Sequence, residues 1–152
     1  MAKRYLPCAV ALICLGLFAS PGFGQVSGVL IWEFYTTEGV YTSVGIPDVD
    51  GDSYPDVVAA IYYINPGTDI YCVSGATGSL IWEKSDCLGT WGNKSLGPVK
   101  DLNGNGFDDV ILGTPGGSYP GSSVIAKDGQ TGETIWYNDA PPGWVYSVAA
   151  LP

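Results

Sequence analysis

One motif written three times constrains this chain more than anything else in it. Gly28-Val29-Leu30-Ile31-Trp32-Glu33, Gly78-Ser79-Leu80-Ile81-Trp82-Glu83 and Gly132-Glu133-Thr134-Ile135-Trp136-Tyr137 put a Trp at the same place, the indoles 50 and 54 residues apart. A second marker, Gly39-Val40-Tyr41-Thr42-Ser43-Val44, returns as Gly143-Trp144-Val145-Tyr146-Ser147-Val148. Trp91 to Ser95 is a looser middle copy, so that Ser43, Ser95 and Ser147 step by 52. A period of that length means one supersecondary unit per repeat, each burying its faces on its neighbours.

Within a period the pattern is that of short strands. An apolar run from Asp56 to Tyr63 is followed by the turn Asn65-Pro66-Gly67, a second run from Ile70 to Ser74, the tight turn Gly75-Ala76-Thr77-Gly78, and the Trp-bearing stretch Ser79 to Glu83. With the strand that leads into Asp48, this makes four strands in about fifty residues. The 22 Gly and 11 Pro, with 10 Tyr and 5 Trp, suit many short strands joined by tight turns. The expected fold is all-β: a partial β-propeller of about two to three four-stranded antiparallel blades. The third copy reaches Pro152 where a further Asp-rich loop would begin, so the expectation is the N-terminal fragment of a longer propeller. The repeated Trp residues are read as packing between blades.

Two stretches carry chemistry. Asp48-Val49-Asp50-Gly51-Asp52-Ser53-Tyr54-Pro55-Asp56 places side-chain oxygens at positions 1, 3, 5 and 9 of a tight loop, and Asp101-Leu102-Asn103-Gly104-Asn105-Gly106-Phe107-Asp108-Asp109 repeats the pattern 53 residues on. Hard cations such as Ca²⁺ take six to eight oxygen ligands, and alternate residues of a curled loop aim their carboxylates at one point. The candidate ligands are Asp48, Asp50, Asp52, the Tyr54 carbonyl and Asp56, and Asp101, Asn103, Asn105, the Phe107 carbonyl and Asp109. The competing reading is a pair of Asp-Gly and Asn-Gly turns without an ion. The second loop is the weaker site, since Asn103 and Asn105 are uncharged. An EF-hand is excluded because it needs Gly at position 6 and a bidentate Glu at position 12 between helices, whereas position 12 is Ala59 and Leu112 between apolar strand-like runs. Asp108, Asp128 and Asp139 read as solvated turn residues.

The chain opens like a secretion signal, with Lys3 and Arg4 ahead of an apolar core from Ala9 to Phe18 and a break at Pro21-Gly22. Cleavage is expected after Gly24, leaving 25–152 as the blades, and the apolar run is shorter than a membrane span needs. The expected location is outside the cytoplasm: secreted, periplasmic or on the cell surface. Losing Lys3 and Arg4 leaves 4 basic against 15 acidic residues, which argues against nucleic acid as a partner. There is no His, which removes the imidazole base and the commonest transition-metal ligand. Cys72 and Cys87 remain after the signal and read equally as a disulfide or as two buried thiols.

The two Asp-rich loops resemble those of FG-GAP (integrin-alpha-type) β-propeller repeats, in which a loop between the first two strands of a blade holds Ca²⁺. Ala126-Lys127-Asp128-Gly129-Gln130-Thr131-Gly132-Glu133-Thr134-Ile135-Trp136 is also similar to the Trp-docking pattern of quinoprotein (PQQ-type) propellers, of which Cys72 to Trp82 keeps Thr77-Gly78 and Trp82. The function expected is that of a calcium-stiffened exported module for protein or carbohydrate binding, not an enzyme. The alternative is the N-terminal part of a propeller enzyme, a quinoprotein dehydrogenase or a polysaccharide-active enzyme, whose catalytic residues lie outside this chain.

Overall fold

The computed structural model describes residues 11–17, 28–36, 39–61, 70–86, 90, 94–114, 124–138 and 144–151. Cys87, Trp91, Asp139, the turn at Asn65 to Gly67 and the expected cleavage site after Gly24 lie outside them. Among the described residues the chain is all-β, with no helix.

Ten strands form three sheets. Strands β3 (Val40–Ile46), β4 (Asp56–Ile61), β5 (Ile70–Val73) and β6 (Leu80–Lys84) make one antiparallel meander, and β7 (Leu96–Val99), β8 (Asp109–Gly113), β9 (Val124–Lys127) and β10 (Thr134–Asn138) make a second with the same order. These two four-stranded sheets are the units that the repeat predicts, and they have the build of propeller blades in an unclosed array. A separate two-stranded sheet pairs β1 (Ala11–Leu17), within the apolar stretch read as a signal, with β2 (Gly28–Tyr35), which carries Trp32.

Burial explains why the middle strands lack alternation. β4 and β5 are buried at almost every position, because both faces of a central strand are covered. One cluster joins the two sheets: Ile46, Val58, Ile70, Cys72 and Trp82 from the first meet Leu96, Val110, Leu112 and Ile125 from the second. The sheets also neighbour each other through their first strands, β3 and β7. Beside β7 lies 144–148, the third copy of the second marker, tied by a parallel bridge between Lys94 and Ser147 and by the Val148 amide donating to the Lys94 carbonyl at 2.9 Å.

The Trp residues lock one sheet to the next. Trp32 Nε1 donates to the Gly75 carbonyl at 2.7 Å, and Trp82 Nε1 to the Gly129 carbonyl at 2.9 Å. Each ring lies on a glycine three residues further on. A Cβ on Gly78 would come within 2.7 Å of Trp32, and one on Gly132 within 2.6 Å of Trp82. Trp82 therefore packs between the two blades, as the sequence implies, and Trp32 packs the two-stranded sheet on the first blade. Trp136, at the equivalent place on β10, is 43% exposed.

Charge reinforces the contact between the two blades. Lys127 on β9 is fully buried, and its Nζ donates to both oxygens of Asp86, at 2.7 and 2.9 Å, to the Gly132 carbonyl and to Thr134 Oγ1. Lys84 on β6 pairs with Glu133 across the same boundary.

Candidate metal centre

The first Asp-rich loop, between β3 and β4, is shaped by its own side chains. Asp48 accepts the Gly51 amide at 2.6 Å through Oδ1 and the Ser53 amide at 2.7 Å through Oδ2. Asp50 accepts from the Asp52 amide, and Asp52 from the Tyr54 amide, in successive Asx turns. Asp56, the first residue of β4 and fully buried, reaches back to the Val49 amide at 2.7 Å. The tight path needs left-handed backbone twice, at Gly51 (φ 88°) and at Ser53 (φ 74°).

Folding therefore gathers carboxylates. One oxygen each from Asp48, Asp50 and Asp56 lies within 4.8 Å of the others. Ligands on opposite sides of a Ca²⁺ ion, each about 2.3–2.6 Å from it, sit about 5 Å apart, so these three fit one hard cation. Asp52 is turned differently: its Oδ2 accepts the Ser74 hydroxyl at 3.2 Å. Tyr54 is at the seventh position with its side chain 60% exposed, which leaves the backbone as its contribution to the loop.

Acidities follow from this geometry. Burial alone would raise Asp48, but the Gly51, Ser53, Asp52 and Asp50 amides together outweigh it and hold the carboxyl below the usual range. Asp56 moves the other way: burial raises it, and the charges of Asp50 and Asp52 add to that rise against the Val49 and Gly75 amides. Burial, with the charges of Asp56 and Asp50, pushes the Cys72 thiol up to about 12. Cys72 is a free, fully buried thiol on β5.

The second loop, between β7 and β8, is built bond for bond alike. Gly104 and Gly106 donate to Asp101, Asn105 to Asn103, Phe107 to Asn105, and Leu102 to Asp109. Asp109 is fully buried at the start of β8 and is raised by burial, while Asp101 is lowered, chiefly by the Gly106 amide. The side-chain amides of Asn103 and Asn105, which stand where the first loop has Asp50 and Asp52, are engaged by a residue outside the loop. Each Nδ2 donates at 2.5 Å to Asp128 Oδ2.

Asp128 is therefore not the solvated turn residue that the sequence suggested. It is 4% exposed and takes Thr131 through both amide and hydroxyl as well as the two Asn side chains. Burial works against its ionisation, but the bonds from Asn103 and Thr131 prevail and lower it. Its counterpart in the first sheet is Ser74. Aligning Cys72-Val73-Ser74-Gly75 with Ala126-Lys127-Asp128-Gly129 would have placed both beside their loops. Asp108 is half-buried and pairs with Lys100 at 2.8 Å.

Loop, buried closing Asp and glycine turn thus recur as one assembly in both sheets. Residues 93–133 match the FG-GAP repeat. That segment runs from just ahead of β7 through the second loop, β8 and β9 to the turn under Trp82. The first sheet lies outside the matched segment but repeats the FG-GAP loop's hydrogen bonds. No curated protein and no solved structure matches the chain.

Proposed function

We propose that this chain is an exported, calcium-stiffened propeller module that presents the loops at its blade ends to a protein or glycan partner. The observation that carries the reading is the convergence of Asp48, Asp50 and Asp56 within 4.8 Å in a loop whose hydrogen bonds recur in an FG-GAP repeat. Calcium at that point supplies positive charge that offsets the mutual repulsion of the carboxylates and ties the start of β4 to the loop ahead of it. Asp48, Asp50 and Asp56 hold the ion directly. Asp52 and the Tyr54 carbonyl complete the set, while Gly51 and Ser53 provide the bend.

The second loop is the weaker binder in this reading, with Asp101 and Asp109 as its ligands and Asn103 and Asn105 shared with Asp128. Among the described residues no helix is long and apolar enough to cross a membrane. Equilibrium dialysis against millimolar calcium tests the site: the chain takes up calcium, and Asp48→Ala reduces the amount bound by one ion. Uptake unchanged in Asp48→Ala would remove this assignment.

A further inference from the structure

Each Trp-bearing turn is held from two sides. In the first sheet the Gly75 amide donates to Asp56 Oδ1 at 3.0 Å, while the Gly75 carbonyl accepts the Trp32 indole at 2.7 Å. The second sheet repeats both bonds: the Gly129 amide donates to Asp109 Oδ1 at 3.0 Å, and its carbonyl accepts Trp82 at 2.9 Å. The adjacent residue makes a second link to the loop, Ser74 to Asp52 and Asp128 to Asn103 and Asn105.

The fit between turn and loop is close enough to admit only glycine. A Cβ on Gly75 would lie 1.8 Å from the Pro55 carbonyl oxygen, and one on Gly129 2.0 Å from that of Asp108. The turn is thus a spacer one residue thick, touching the loop on one side and the neighbouring indole on the other. Packed interiors do not yield by such distances without cost, so a shift in the loop is transmitted to the indole.

We propose that cation occupancy of the loop 48–56 and docking of the Trp32 strand on the turn 74–78 are thermodynamically coupled through Asp56 and Gly75, so that the ion regulates how firmly neighbouring sheets hold each other. This rests on reading that loop as a calcium site. An ion that fixes the Asp56 carboxylate fixes the acceptor of the Gly75 amide, and with it the carbonyl on which the indole sits. Linkage makes the effect reciprocal: loosening the indole weakens the ion.

The test is calcium titration calorimetry on the full chain in an Asp101→Ala background, where only the first loop titrates. Trp32→Phe keeps an aromatic ring and removes the indole N–H; it weakens calcium binding about fivefold. Trp136→Phe, on the exposed indole, leaves the affinity unchanged. In the unmutated chain, calcium also slows hydrogen exchange at the Gly75 amide, a readout that needs no variant to fold. Equal affinity in Trp32→Phe, or Gly75 exchange indifferent to calcium, overturns the coupling and leaves the calcium site standing. Absence of calcium binding in every protein, the unmutated chain included, overturns the site and the coupling together.

Discussion

A Cβ on Gly132 would lie 2.6 Å from Cε3 of Trp82, so the indole of one sheet rests directly on the turn of the next. Gly132 also has φ 72°, a left-handed conformation that costs an L side chain about 1–2 kcal/mol. Gly132→Ala combines that cost with overpacking and is expected to destabilise by about 2–4 kcal/mol in urea unfolding. Gly104, at φ 80° with nothing within 4 Å of its would-be Cβ, isolates the backbone part. Gly104→Ala should lose only about 1–2 kcal/mol. Equal losses at the two sites would mean that the indole does not press on the turn.

Ser53 is the one non-glycine residue with positive φ among the described residues, and its counterpart in the second loop is Gly106 at φ 93°. Ser53→Gly relieves the left-handed strain while keeping the amide that Asp48 accepts. The gain expected is about 1 kcal/mol, less a few tenths for the added freedom of the unfolded chain. A lower unfolding midpoint in urea would show that the Ser53 side chain contributes something its backbone angle conceals.

Lys127 joins the two sheets from a fully buried position, with Asp86, half in solvent, as its charged partner. Lys127→Met keeps most of the packed volume and frees Asp86 to hydrate, so the expected loss is about 1–2 kcal/mol, from the bonds to the Gly132 carbonyl and Thr134. Lys127→Ala adds a cavity and should cost about 3 kcal/mol. Should Met prove as damaging as Ala in chemical denaturation, the ion pair rather than the packed stem would be the main contribution.

The pattern in the chain made much of this fold legible. Three Trp copies and two Asp-rich loops predicted about two to three four-stranded antiparallel blades, and the described residues form two such sheets, because a period of about fifty residues with tight Gly turns leaves few other ways to bury every strand. The convergence of Asp48, Asp50 and Asp56 was legible because their spacing is local: positions 1, 3 and 9 of one bend. Asp128 was not, because its partners Asn103 and Asn105 come from another loop, and an Asp before Gly in a turn looks solvated in isolation. The same holds for Lys127, whose charge is met by Asp86, just beyond β6 of the neighbouring sheet. Gly75 read as a turn residue, whereas its main constraint is close approach to Pro55, as that of Gly129 is to Asp108.

Acidity gives a test with two signs. Asp56 and Asp109 have carboxyls raised above the ordinary value of 3.8, so in EDTA their charged forms destabilise the folded chain at neutral pH. Lowering the pH from neutral towards 3.8 lets the folded state take up protons first, and the unfolding midpoint in EDTA rises. Below that value Asp48, Asp101 and Asp128, which are lowered, lose their native bonds as they protonate, and the midpoint falls. In calcium the first limb reverses, because protons compete with the ion. Parallel pH profiles with calcium and with EDTA would contradict this account.

The most direct measurement is the thermal unfolding midpoint of the full chain in about 5 mM calcium and in EDTA, a concentration chosen because extracellular calcium sites commonly bind at about 10⁻⁴–10⁻³ M. Binding to the folded state alone raises the midpoint by mass action. The midpoint is expected to be higher in calcium, and Asp50→Ala to lose most of that rise. A midpoint that is the same in calcium and in EDTA, or a rise that Asp50→Ala leaves intact, would contradict the calcium site.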